Sequence, residues 1–404
     1  MRTETLVESQ TQEVSMSREE ADALKAVGKR LASDTPWWGT EESSVDRTAV
    51  QCTQCGPERW KVRVSDAVGI VAVPGVQFLV EPKIPIDHLL YLFVESGRFP
   101  RLDDQSVEAS TSSSLWELIA EWFVQALESA LRQGIIRDYH EQTEIVPFIR
   151  GRLDVADAVL SYYKGKTRYR CSFEEFGLDT SLNRVLKAAI GVVLSSELLN
   201  GNLRQRATRI AARFEDVGGC SASDLRTQIE RRTQHYRDAH LLALHVIRAS
   251  GRYLGHGTAA SWTFLIRTPL MVEDGIRKVL NEPCHGWSLR KRSMRLGASS
   301  MTLNPDMVIE DGLAVADVKY KLSGNEWNRT DLYEVAAFAA GYQTPFAAIV
   351  DFRKPGTSPV ASVPIGKISV VKVSWPADAS LKPDEAASHV AGEFSMWLRG
   401  LRAA

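Results

Sequence analysis

The stretch NPDMVIEDGLAVADVKYKL, residues 304–322, sets the reading of the second half of the chain. Asp311-Gly312 at its centre is a two-residue hairpin signal, because a type I′ turn requires positive φ at both positions. With those two residues as the loop, Glu310 pairs with Leu313. Asp306 then lies opposite Asp317, and Asn304 opposite Lys319. Alternation puts Pro305, Met307, Ile309, Ala314, Ala316 and Val318 on one face, the expected core face. Asp306, Val308, Val315, Asp317 and Lys319 share the other. A longer turn that slipped the register by one residue would take Asp306 off that face.

Opposed residues of an antiparallel pair have Cβ atoms roughly 4.5–5.5 Å apart, where like charges destabilise the sheet. Either one of the two carboxyls is protonated, or a cation lies between them. Hard oxygen ligands suit Mg²⁺, which takes one or two protein carboxylates together with substrate phosphate oxygens. Lys319, on the same face, would hold an attacking water or stabilise charge on a phosphate. The competing reading is a solvated sheet face carrying scattered charges.

The pattern Pro305-Asp306 followed by Asp317-Val318-Lys319 resembles the PD-(D/E)XK signature of restriction-type nucleases. Its surroundings extend the likeness. DVKYKL runs on to DLYEVAAFAAGY, which is similar to the Asp-x-Tyr-Gln helix of McrC-type nuclease subunits of modified-cytosine restriction systems. FLIRTPLMVEDGIRKVL resembles that family's helix ending in Leu-Phe-Glu and puts Glu273 at the acidic position. FIRGRLD (148–154) and CSFEEFGLDTSLNRVLKAAI (171–190) resemble its middle segments, and VGIVAVPGVQFLVEPKIP its N-terminal hairpin. The likeness runs collinearly over roughly residues 10 to 355. The sequence departs from it at Glu334, where the family helix has Gln, and at Met271-Val272, which replace Leu-Phe. An acid at position 334 would either bind metal or repel phosphate.

A chain of 404 residues calls for two or three domains. Its 44% hydrophobic and 25% charged residues fit a globular protein. No run approaches the roughly 18 apolar residues of a membrane span, and the N-terminus lacks an apolar signal core. No membrane association and a cytoplasmic location are therefore expected. Five cysteines argue against a disulfide framework. Cys52 and Cys55 form a lone CxxC with no second pair, so incidental thiols compete with a zinc site to which Cys284-His285 would have to contribute. The formal net charge of −1 is unlike that of a stand-alone DNA binder. A local basic run, Arg290, Lys291, Arg292 and Arg295, is the candidate DNA contact, read against a plain solvated charge run.

Ser17 and Glu20 make a capping box ahead of a helical pattern. Residues 60–85 alternate like strands around a Pro74-Gly75 turn, and a β-rich, partner-interacting N-terminal domain is expected over residues 1–110. The polar run 103–114 reads as a linker. Residues 114–135 are strongly amphipathic, with Trp116, Ile119, Phe123, Ala126 and Leu127 on related faces. A helical middle or stalk region is expected over 111–255. His235, His240 and His245 recur every five residues, which is not the i, i+4 spacing of paired metal ligands. Residues 256–404 are expected to form the nuclease domain. The fold class is thus a multidomain α+β or α/β protein, whose last domain is a restriction-endonuclease-like mixed sheet flanked by helices.

The resemblance implies a Mg²⁺- or Mn²⁺-dependent DNA endonuclease subunit in anti-phage restriction. Asp306, Asp317 and Glu273 would hold metal, with Lys319 and Glu334 completing the catalytic set. It also implies a separate McrB-like AAA+ GTPase, a hexameric ring that this chain stimulates, and double-stranded DNA as substrate. Arg150 and Arg152 are candidates for partner contact or for structural ion pairs. The chain has no GxxxxGK[ST] loop, so it is not expected to bind nucleotide by that route, and no GxSxG elbow. Two other readings stay open: a non-catalytic activator of the ring with a residual nuclease fold, and a nuclease of transposition or repair.

Overall fold

The N-terminal segment builds two small sheets because its apolar residues alternate and its turns are tight. It contains β1 (Arg2–Val7), β2 (Gln12–Ser15), α1 (Arg18–Ser33), β3 (Val50–Gly56), β4 (Arg59–Val64), β5 (Ala67–Val73), β6 (Val76–Glu81) and α2 (Ile86–Glu95). The computed structural model describes residues 2–33, 49–99, 115–165, 167–196, 199–249, 262–284, 286–297 and 300–403. The linker expected at 103–114 and His285 lie outside those residues. The Ser17 capping box is formed: Ser17 N–H donates to Glu20 Oε2 at 2.8 Å, and Glu20 N–H donates to Ser17 Oγ at 3.1 Å. Two first-turn donors that the helix itself leaves open are thereby satisfied. Pro74-Gly75 joins β5 to β6, with Val73 paired to Val76 and Gly75 at a φ of 92°.

The middle segment holds α3 (Leu115–Arg132), β7 (Asp138–Val146), β8 (Arg152–Leu153), α4 (Val155–Tyr163), β9 (Tyr169–Gly177), α5 (Ser181–Leu194), α6 (Gly201–Ala212) and α7 (Arg237–Ala249). It is not purely helical: β7, β9 and β8 form a three-stranded sheet. Of the three evenly spaced histidines, His240 is buried, and burial lowers its pKa.

The last segment comprises β10 (Trp262–Arg267), α8 (Pro269–Asn281), β11 (Leu289–Arg290), β12 (Met294–Arg295), β13 (Thr302–Leu303), β14 (Met307–Ile309), β15 (Ala314–Ser323), α9 (Arg329–Gly341), β16 (Phe346–Arg353), β17 (Val363–Ile365), β18 (Ile368–Pro376) and α10 (Pro383–Ala403). Its six-stranded mixed sheet runs β11-β14-β15-β16-β18-β17. β15, β16 and β18 are mutually parallel, and β14 pairs antiparallel to β15.

Three separate domains are not what forms. The chain divides into two compact units, Met1–Arg101 with Leu254–Ala404, and Leu102–Tyr253. The cuts fall near the expected residues 110 and 255, but the outer segments belong to one unit. The cause is a non-local pairing. β10 joins β5 antiparallel, Phe264 opposite Ile70, and completes the order β1-β6-β5-β10. Both partners are apolar runs, and β5 is buried along its whole length, so a strand from the last segment is needed to cover the N-terminal sheet.

The hairpin of residues 304–322 keeps the expected register with a wider turn. Met307 pairs with Ala316, Val308 with Val315 and Ile309 with Ala314. Ile309 and Ala314 form the last pair, and Leu313 N–H donates to Ile309 O at 2.9 Å. Glu310, Asp311 and Gly312 all have positive φ, at 44°, 56° and 126°. The two-residue type I′ loop is therefore replaced by a longer one. Because it grew by one residue on each strand, the pairing did not slip.

The expectation of one core face also changes, since both faces of β15 are covered. On one side Val315 packs with Val335, Phe338 and Ala339 of α9 and with Ala347, Ile349 and Val370 of the neighbouring strands. On the other, Tyr320 stands edge-on to Phe352 at 5.4 Å, and Phe352 meets Trp375 at 6.2 Å. Trp375 Nε1 donates to His88 Nδ1 of α2 at 2.9 Å. Each fully buried aliphatic or Phe side chain here contributes about 1.5–3 kcal/mol. α8 lies close against α2, and a Cβ at Gly275 would come 2.4 Å from Leu92 O. That close approach fixes the helix which carries Glu273.

Within the second unit, Gly151 of the FIRGRLD segment has a φ of 66°, and a Cβ there would fall 2.5 Å from Ser172 O. Arg150 beside it lays its guanidinium 4.0 Å over the Phe173 ring. Gly151→Ala is expected to destabilise this unit by roughly 1–3 kcal/mol. Hydrogen exchange should show lost protection in β8 and β9 and unchanged protection in the six-stranded sheet.

Candidate active site

The site forms where β14, β15, α8 and α9 meet, and each acid reaches it for a local reason. Asp306 directly precedes β14 and is 7% exposed; Asp317, within β15, is 4% exposed. The Asp306 carboxylate spans the hairpin, since its Oδ2 accepts from Val318 N–H at 2.9 Å. Arg277 of α8 donates to the Asp306 backbone oxygen at 3.3 Å and pairs with Asp274. Asp274 in turn accepts from Arg98 at 2.6 Å. Glu273 sits one turn before Arg277, so the same helix face supplies both an acid and an anchor for the Pro-Asp step.

Lys319 extends from β15 along the Asp317 side. Its Nζ lies 2.6 Å from Asp317 Oδ2 and 2.7 Å from Glu334 Oε2 of α9. Asn328 caps α9, its Oδ1 accepting from Asp331 N–H at 3.1 Å. Asp331 then pairs with Lys321 at 2.7 Å and ties the first turn of α9 to β15. Glu334, one turn further on, is thereby brought to Lys319.

Electrostatics separate the roles. Burial would lower the pKa of Lys319, but the charges of Asp317 and Glu334 outweigh it and raise the value. Lys319 is therefore an ammonium, suited to stabilising anionic oxygen and unsuited to taking a proton. Asp317 is pushed up to about 7 by burial and by the neighbouring Asp306 charge, against the pull of Lys319. Glu273 is likewise pushed up to about 7, by burial and by Asp306, against Lys291. Both acids resist ionisation until more positive charge arrives, and Asp306 is the charge they share.

Among the described residues, no three His, Cys, Asp or Glu side chains come together as a self-sufficient metal cage. Asp306, Asp317 and Glu273 therefore do not close around one point as a three-carboxylate set. They nevertheless fit a hard divalent ion, which needs only one or two carboxylates with water and phosphate oxygen completing the shell. A positive charge already stands at two of them: Lys291 Nζ is 3.3 Å from Glu273 Oε2 and 3.3 Å from Asp306 Oδ1.

The basic run is split in its contacts. Arg290, Lys291, Arg292 and Arg295 are all exposed. Lys291 turns into the site, while Arg292 pairs with Asp311 at 3.4 Å, and its backbone oxygen accepts from Tyr342 at 2.8 Å. Arg150 and Arg152 are exposed in the second unit. All five cysteines are free thiols; Cys52, Cys171 and Cys284 are buried, and Cys55 is exposed. Sequence reasoning missed Arg277, the Lys321–Asp331 tie and the inward turn of Lys291. Only Arg277 had a signal, its i, i+4 spacing from Glu273.

A family profile for "McrBC 5-methylcytosine restriction system component" matches residues 62–350. The chain is 24% identical over 138 residues to the type IV methyl-directed restriction enzyme EcoKMcrBC of Escherichia coli (strain K12), a match covering 34% of this chain and 40% of that protein. It therefore spans well under half of that relative's length. Its fold is similar to that of a chain in the half-complex from a tetradecameric assembly of Thermococcus gammatolerans McrB AAA+ hexamers with bound McrC. That likeness has a TM-score of 0.67 and 17% identity, and covers 97% of this chain and 100% of the other. With the family profile covering most of its length, the chain belongs to the family of McrBC 5-methylcytosine restriction system components.

Proposed function

We propose that the chain is a Mg²⁺-dependent DNA endonuclease subunit of the PD-(D/E)XK type, acting with a separate AAA+ GTPase ring that it stimulates. The observation that carries this reading is the hairpin itself. Its register holds Asp306 and Asp317 beside one another with the Lys319 ammonium on the same side. The mixed sheet with α8 and α9 against it supports the restriction-endonuclease-like description. A divalent ion held by Asp306 with Asp317 or Glu273 would supply Lewis-acid charge at the scissile phosphate and lower the pKa of a bound water. Lys319 contributes a fixed cation for charge developing on phosphate oxygen. Val318 N–H and Arg277 hold Asp306 in place, and Glu334 with Asp317 holds Lys319.

The second unit supports the partner assignment. α4 buries none of its residues, and Val155, Leu160, Tyr162 and Tyr163 are 65%, 58%, 81% and 83% exposed. A short helix draws most of its stability from burying an apolar face, so this one is suited to being covered by another protein. Phe148 and Ile149, beside Arg150, are 64% and 59% exposed on the adjoining segment. Partner binding through this unit would bring the chain to DNA, which its net charge of −1 does not favour.

The deciding experiment incubates methylated DNA with the chain, a McrB-like GTPase, GTP and Mg²⁺. Double-strand breaks are expected with the full set and none after EDTA. The non-catalytic activator reading draws on Glu334, whose charge adds to the negative potential of the cleft. It would prevail if the DNA stayed intact while the partner's GTPase rate still rose.

A further inference from the structure

Lys291 sits in the short link between β11 and β12 and reaches in from solvent. Its side chain is 44% exposed, whereas those of the acids it touches, Glu273 and Asp306, are 19% and 10% exposed. Both contacts are 3.3 Å, longer than the roughly 2.7–2.9 Å of a tight charge-assisted hydrogen bond. The other cations of the cleft are committed elsewhere, Arg277 to Asp274 and Lys319 to Asp317 and Glu334. Asp306 cannot follow the lysine outward, because Val318 N–H fixes its other oxygen.

We propose that Lys291 is a tethered counter-cation of the Glu273–Asp306 pair, displaced by the divalent ion when it binds and then turned toward the DNA phosphate beside Arg290 and Arg292. This rests on the metal-dependent reading above. Two carboxylates in a low-dielectric cleft repel, and a cation between them holds the spacing a metal needs. A lysine can fill this role and give it up, because its compact charge rides on a flexible four-carbon stem that swings out without the backbone moving. Its loose contacts and exposure give it a way out.

The test is calorimetric titration of Mn²⁺ into the metal-free full-length chain, comparing wild type, Lys291→Met, Lys291→Gln and Asp306→Asn. With the competing charge gone, the Met and Gln variants should bind Mn²⁺ about five- to tenfold more tightly, and Asp306→Asn should lose binding. Gln keeps a polar group over the acids and serves should Met impair folding. In Ca²⁺, the same two variants should bind DNA more weakly, with the salt slope reduced by about one phosphate contact. Equal or weaker Mn²⁺ affinity in both variants would overturn the proposal and leave the nuclease reading intact. If neither wild type nor variant binds Mn²⁺, the metal-dependent reading falls and the proposal with it.

Discussion

On the proposed endonuclease reading, DNA cleavage by the Lys319→Ala chain, assayed with a McrB-like GTPase, GTP and Mg²⁺, is expected to fall by roughly 10²–10³, the usual loss when one fixed transition-state charge is removed. Asp306→Ala should fall to background, because that residue borders both other acids and anchors the hairpin through Val318 N–H. With partner contact assigned by the proposal to the second unit, stimulation of a McrB-like GTPase should survive in both, since neither residue belongs to that unit. Lys319→Arg separates charge from shape. It keeps the positive charge, but the contacts of 2.6 and 2.7 Å to Asp317 and Glu334 leave a planar guanidinium little room. Partial activity is expected there. Glu334→Gln removes one of the two carboxylate charges that pair with Lys319. If Lys319→Ala and Asp306→Ala both cut as well as wild type, the hairpin is not the catalytic centre.

Much of this site was legible because strand periodicity is a local signal. Pro305-Asp306 and Asp317-x-Lys319 lie on one hairpin, and alternation with Asp311-Gly312 was enough to bring them together. The width of the turn was not legible, because nothing about a glutamate signals the positive φ of Glu310. Burial of both faces of β15 was not legible, because Asp317, Lys319 and Lys321 break its apolar run and Val315 shares their face, yet Val315 packs under α9. Composition picked out Lys291 as part of a basic run, yet its partners come from α8 and the hairpin and required the fold. The two-unit division was hidden for the same reason. β10 pairs with a strand nearly two hundred residues earlier, and no periodicity reports such a partner.

Lys83→Met should produce the largest stability loss in the first unit, about 3–5 kcal/mol, a drop in melting temperature on the order of 10 °C. Lys83 is only 12% exposed; its Nζ lies 4.0 Å from Glu8 Oε1, donates to Tyr320 O at 3.0 Å and covers the Tyr320 ring at 4.1 Å. Glu8 is fully buried, and Thr268 Oγ1 donates to its Oε1. Burial raises the pKa of Glu8 above its ordinary 4.5, and the Lys83 charge opposes that rise. The stability this group contributes is therefore complete below its ordinary value and is lost as pH climbs through the raised one. Without Lys83 the folded value climbs further, so the folded chain holds the proton over a pH range in which the unfolded chain has released it. The deficit of Lys83→Met should thus be small near pH 5 and large near pH 8. Adding Glu8→Gln removes the stranded charge, so the double variant should recover most of the loss at pH 8. Thermal unfolding of the three chains at both pH values checks this, and a single variant that melts with wild type at pH 8 would remove Lys83 as a keystone of the fold. The same lysine holds the β15 backbone one residue beyond Lys319, so on the proposed endonuclease reading its loss at permissive pH should lower cleavage by loosening the strand that carries Lys319.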